Sequence, residues 1–241
     1  MQFDPRTVAR DIPGILDELF PQLTPSIVRH LNDSARIVEV RPLSSDLLRL
    51  STLQRAMLFE LGYVVGERLI AGDGSIDWQY CLSETLRRQR RYFDAELPDR
   101  LSTEDQKLAE AVGNNLANMI VNLRCESQRS IVIQPRIPGL EWIASGYGDF
   151  ALGSTLVEVK CAAKRFSAAD YRQVAIYWLL SYSASIEGRG TEWDDFVLLN
   201  PRSGQMVQMT FNAFVSIVSS GRTKVDVLQL FQALIDPRLA R

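Results

Sequence analysis

Asp149, Glu158 and Lys160 are the residues whose types and spacing could do chemistry in this chain. They stand in the stretch Gly146-Tyr147-Gly148-Asp149-Phe150-Ala151-Leu152-Gly153-Ser154-Thr155-Leu156-Val157-Glu158-Val159-Lys160. Gly153-Ser154 reads as a two-residue hairpin turn, with glycine first as a type II′ turn prefers. Leu152 then faces Thr155, and Asp149 faces Glu158. Directly opposed side chains share a face, with Cβ atoms about 4.5–5.5 Å apart. Lys160 shares that face with Glu158, because side chains alternate along a strand. Phe150, Leu152, Val157 and Val159 turn to the other face and can pack into a core. Two carboxylates this close repel each other unless a positive charge lies between them. A hard divalent cation such as Mg²⁺ or Mn²⁺ meets that need with carboxylates, water and a substrate phosphate. With a lysine alongside, such a centre suits hydrolysis of a phosphodiester.

The elements that must position these groups can be traced along the chain. Arg6 to Phe20 has apolar residues at helical spacing, interrupted by Pro13. A β-like run follows at 35–40. Residues 46–70 carry Leu47, Leu50, Leu53, Met57, Leu61 and Val65 at the spacing of one amphipathic helix, ended by Ala71-Gly72-Asp73-Gly74. An Arg-rich helix is expected over 83–93. Leu97-Pro98-Asp99-Arg100 is the best candidate boundary. Beyond it the pattern predicts a long helix over 102–123 and short strands at 130–134 and 147–152. A strong strand over 155–161 and a helix over 167–181 follow, opened by a Ser167/Asp170 capping box. Two strands flank Asn200-Pro201-Arg202-Ser203-Gly204, and two helices close the chain. The expectation is therefore a mixed α/β fold in two parts, a mainly helical region over 1–98 and a domain with a sheet over 99–241.

The pattern Gly-x-Gly-Asp-Phe…Glu-Val-Lys resembles the core motif of the PD-(D/E)xK nuclease superfamily, in the exonuclease branch similar to the RecB nuclease domain. Gln173-Val174-Ala175-Ile176-Tyr177 resembles the QxxxY motif of that branch, and residues four apart share one helical face. The resemblance covers roughly residues 104–210. It implies a restriction-endonuclease-like mixed β-sheet flanked by helices, and a Mg²⁺- or Mn²⁺-dependent deoxyribonuclease. It assigns Asp149, Glu158 and the backbone carbonyl of Val159 as metal ligands. Lys160 becomes the group that positions water or stabilises charge, with Gln173 and Tyr177 bracing the site. Gly148 stands where the superfamily's name expects proline. The histidine ligand common in the branch has no counterpart near the motif, since the only histidine is His30. Glu110, in a polar stripe with Asn114 and Asn118, is the candidate replacement; its alternative is an ordinary solvated helix glutamate. By family analogy, such a nuclease belongs to a restriction, repair or antiviral defence system. The competing reading is a nuclease-like module that binds DNA or a protein partner without cleaving.

Composition narrows the remaining classes. The chain has 241 residues, 46% hydrophobic and 23% charged, which excludes a disordered chain or a disulfide scaffold. A formal net charge of −2 predicts no general polyanion coat, so DNA must be held locally. Arg87, Arg88, Arg90 and Arg91 form the densest basic cluster, readable as a solvated helix face or a phosphate-gripping patch. Lys164, Arg165 and Arg172 lie just past the motif and are candidates for neighbouring phosphates. Three scattered cysteines without a CxxC pair fit a reducing cytoplasm and a structural role. No signal peptide or membrane span is expected, since Val174 to Ile186 is too short and Ser-rich to cross a bilayer. A protein partner or a second copy of the chain is left open.

Overall fold

The structure, a computed structural model, describes residues 2–90 and 98–236. Arg91, Leu97 and the end of the expected Arg-rich helix lie outside the described residues. Three short helices open the chain: α1 (Pro5–Asp11), α2 (Pro13–Leu19) and α3 (Pro25–Asp33). Proline at the first position of each fits a site with no intrahelical N–H partner to lose. Strand β1 (Arg36–Ile37) follows.

The single helix expected over 46–70 is two, α4 (Ser45–Leu50) and α5 (Arg55–Ala71). The break has a chemical cause. Ser51 Oγ and Thr52 Oγ1 donate to the Asp105 carboxylate at 2.6 and 2.8 Å, drawing the chain out of helical geometry. Asp105 also closes a capping box with Ser102 at the start of α7 (Thr103–Ser127). Helix α6 (Trp78–Gln89) lies between them in sequence.

The second half supplies the sheet: β2 (Ile131–Ile133), β5 (Phe150–Leu152), β6 (Thr155–Val159), β7 (Asp195–Asn200) and β8 (Gln205–Thr210), with β3 (Arg136–Ile137) and β4 (Gly146–Tyr147) forming a separate pair. The main sheet runs β1-β8-β7-β6-β5-β2. Only β6 and β7 pair in parallel among the described strands. Parallel neighbours need a crossover, here α8 (Ala168–Ile186), which runs one turn past its expected end. Helices α9 (Phe211–Val218) and α10 (Lys224–Ile235) end the described chain. The fold is mixed α/β, a six-stranded mixed sheet flanked by helices.

Alternation along the strands divides the packing. Leu156, Phe196, Leu198 and Val207 face a core with α8, α9 and α10. Phe150, Leu152, Val157, Val197 and Leu199 face α7 through Leu116, Met119, Ile120 and Leu123. The expected division near residue 98 is not a division of the core. Val8, Leu16, Leu19 and Phe20 pack with Tyr171, Trp178 and Phe214, and β1 pairs with β8. Helix α5 crosses α7 at van der Waals distance because both carry glycine there. A Cβ on Gly113 would stand 2.5 Å from Val65 Cγ1 and 3.0 Å from the Gly66 backbone nitrogen. Among the described residues, no helix is long and apolar enough to cross a membrane.

Candidate active site

The β5–β6 hairpin takes the expected register. Phe150 pairs with Val157, Ala151 with Leu156 and Leu152 with Thr155, so Asp149 and Glu158 meet at its open end. Glu158 Oε1 accepts the Asp149 N–H at 3.3 Å, and Asp149 Oδ2 accepts the Val159 N–H at 2.7 Å. Gly148 brings the chain into this position. A Cβ there would stand 3.0 Å from Leu156 Cδ1 and 3.3 Å from Pro135 Cγ, which gives glycine a steric reason to occupy it.

Helix α8 meets the same face. Gln173 Nε2 donates to Glu158 Oε2 at 2.7 Å, and Gln173 Oε1 accepts from Lys160 Nζ at 2.8 Å. Lys160 Nζ also lies 3.3 Å from Glu158 Oε2. One amide thus fixes a carboxylate and an ammonium group at once. One turn later, the Tyr177 hydroxyl oxygen accepts from Gln173 Nε2 at 3.1 Å. Asp149, Glu158, Lys160, Gln173 and Tyr177 are therefore brought into one hydrogen-bonded cluster.

Two further members carry no local sequence signal. Arg6 of α1 donates from Nε to the Tyr177 hydroxyl at 2.8 Å and from Nη2 to Asp149 Oδ1 at 3.2 Å. Phe3 stitches this segment down, donating its N–H to the Trp142 carbonyl and accepting from the Ala144 N–H. Tyr63 of α5 donates its hydroxyl to the Asp149 carbonyl at 3.2 Å and tilts against the Phe150 ring. Both come from distant sequence, and only the packing of α1 and α5 reveals them.

Charge is tightly constrained here. Glu158 has no solvent exposure. Burial, reinforced by the Asp149 charge and opposed by Lys160 and Arg6, pushes its carboxyl up to about 7. Burial likewise raises the Tyr177 and Tyr63 hydroxyls, so both remain protonated donors at neutral pH. Two converging carboxylates with hard oxygen donors, one closed off from water, fit a divalent cation that would complete its shell with solvent and phosphate. Asp149 and Glu158 would hold it. Val159, the third expected ligand, lines the cleft beside Asp149, while Glu158 lies buried behind the cleft wall.

Glu110 stands elsewhere. It is exposed on α7, as are Asn114 and Asn118, while Val112 and Leu116 of that helix line the cleft. The polar stripe faces solvent, and the solvated reading holds for Glu110. Among the described residues, no third His, Cys, Asp or Glu joins the carboxylate pair.

The cleft over the cluster measures about 970 Å³, with Asp149 and Lys160 on one wall and α5 and α6 on the other. Of the basic candidates, Arg87 and Arg88 line it. Arg88 is tied by Glu67 at 2.6 Å, Glu84 at 2.7 Å and Glu60 at 3.4 Å, and its side chain is 12% exposed. It holds α6 to α5 and has little left for phosphate. Arg87 also pairs with Glu84 but is open to solvent, and Arg90 is exposed at the end of α6. Lys164, Arg165 and Arg172 do not line the cleft; Lys164 is exposed, while Arg165 pairs with Asp33 and Arg172 with Asp17. Arg10, which carries no motif, lines the cleft and is exposed.

No protein-family model matches this chain, and no curated protein matches it in sequence.

Proposed function

We propose that this protein is a metal-dependent nuclease that hydrolyses phosphodiester bonds in DNA, on a restriction-endonuclease-like arrangement of the sheet and helices. The observation that carries the reading is the Asp149–Glu158 pair across the hairpin, with Lys160 fixed beside it by Gln173 at the mouth of a cleft. When bound by the two carboxylates, Mg²⁺ or Mn²⁺ supplies Lewis acidity toward a phosphoryl oxygen and toward water. Lys160 keeps its ammonium group oriented by the Gln173 amide and Glu158, so its remaining N–H donor can meet the attacking water or the charge that grows on the phosphate. Gln173 holds Glu158 in place, and Tyr177 holds Gln173. Arg10 and Arg87 on the cleft walls provide exposed cations for neighbouring phosphates.

The test is cleavage of linear and circular, single- and double-stranded DNA by the full chain, with Mn²⁺ and with chelator. Cleavage that requires the ion and falls about 10²–10³-fold in Lys160→Ala supports the reading. No cleavage of any substrate, or a Lys160→Ala variant as active as wild type, overturns it in favour of a binding module.

A further inference from the structure

The guanidinium of Arg6 occupies an unusual position. It reaches the carboxylate pair from a helix at the far end of the chain, and its side chain is 30% exposed against 13% for Asp149. It contacts the cluster three times: Nε on the Tyr177 hydroxyl, and Nη2 on both Asp149 Oδ1 and the Tyr147 carbonyl. The approach is prepared by the backbone. Asp4 accepts the Arg6 N–H at 2.8 Å as the cap of α1, and Pro5 packs over Gly146, where a Cβ would stand 3.3 Å from the proline Cδ. The four carboxylate oxygens of the pair already accept hydrogen bonds. Asp149 Oδ2 and both Glu158 oxygens take theirs from β6 backbone, from Asp149 itself, from Lys160 and from Gln173. Asp149 Oδ1 alone depends on Arg6.

We infer that Arg6 is a built-in counter-cation of this site: it neutralises Asp149 while no divalent ion is bound, and it must release Asp149 Oδ1 for an ion to bind both carboxylates. The inference rests on the metal-dependent reading above. Its physical basis is competition. A dication on Asp149 repels a guanidinium held 3.2 Å from the same oxygen, so the two positive groups compete for one carboxylate. Arg6 is the group free to move, because it is the more exposed partner; its planar guanidinium leaves Asp149 Oδ1 and the Tyr177 hydroxyl as one rigid unit. Lys160 cannot yield in the same way, since Gln173 grips it from α8.

The test is Mn²⁺ affinity, read from the spectrum of the free aqueous ion, for the full-length wild type and for Arg6→Met and Arg6→Lys. Arg6→Met keeps the aliphatic stem and removes the charge. It is expected to bind Mn²⁺ about two- to fivefold more tightly than wild type, the range set by losing one partly exposed ion pair that competes. Its melting temperature in chelator falls, and Mn²⁺ restores it. Arg6→Lys falls between the two. A purely structural role for Arg6 would weaken binding, never strengthen it. Equal or weaker binding by folded Arg6→Met overturns the inference and leaves the nuclease reading intact. Binding by Arg6→Met where wild type binds none supports the inference. Failure of both proteins to bind Mn²⁺ overturns the nuclease reading and the inference with it. If Arg6→Met does not fold, Mg²⁺ titration of ¹⁵N-arginine-labelled wild type decides. A shift of the Arg6 Nε–Hε signal, identified by its loss in Arg6→Lys, supports release; an unmoved signal overturns it.

Discussion

Gln173 Nε2 lies 2.7 Å from Glu158 Oε2, a bond made with both side chains closed off from solvent. Neither group is open to bulk water. Gln173→Ala would leave the buried carboxylate with fewer donors and Lys160 without its acceptor. Such a loss costs about 1–3 kcal/mol. The expected outcome is a lower melting temperature in chelator and a 10–100-fold loss of cleavage rate, of the size seen when a group supporting a metal ligand is removed. A variant that melts and cleaves like wild type would show that the amide braces nothing.

Glu158 sets the pH response. Its carboxyl ionises near 4.5 in the unfolded chain but is held up to about 7 when folded. Between those values the folded protein keeps a proton that the unfolded chain has lost. Stability without metal therefore falls as pH rises from about 4.5 to about 7, then levels off. Urea denaturation in chelator across this window checks the slope, and Glu158→Gln flattens it. Divalent-ion affinity runs the opposite way, rising by at most about tenfold per pH unit up to about 7, because binding displaces a proton.

Glu110→Ala is expected to change neither Mn²⁺ affinity nor cleavage. Its side chain is in solvent, on the side of α7 that the cleft does not use. Surface changes of this kind usually stay within about 0.5 kcal/mol. A marked loss of metal affinity measured by calorimetry would return Glu110 to the ligand set.

Gly113→Ala tests the support behind the site. The added methyl would stand 2.5 Å from Val65 and press on backbone at Gly66. Overpacking costs about 1–3 kcal/mol. Because α5 carries Tyr63 onto the Asp149 carbonyl, the displacement is expected to reach the site as well. Denaturation midpoints and cleavage rates should fall together.

Much of the cluster was legible because it is local. The Gly153-Ser154 turn fixes which hairpin residues oppose, and helical spacing puts Gln173 and Tyr177 on one face. What could not be read depends on distant packing. Arg6 sits in a short N-terminal helix and Tyr63 in a helix buried on more than one side, and nothing near them in sequence marks a polar destination. The break at Ser51 and Thr52 requires Asp105, far along the chain, to accept their hydroxyls. The basic run from Arg87 reads equally as a solvated face or a phosphate grip because sequence displays charges and hides their partners; Glu60, Glu67 and Glu84 engage Arg88, while Arg87 stays open to solvent. The boundary near residue 98 followed a change of pattern, and a core can span such a change.

Arg6 and Tyr177, which touch each other in the cluster, stand 171 positions apart in sequence. During synthesis the first of them emerges long before the second. Closing the chain over that span costs loop entropy that a local contact does not. A chain made only as far as the hairpin, or one partly unravelled, would thus carry the acidic pair without its finished surroundings, and competence would arrive only when the whole molecule has come together.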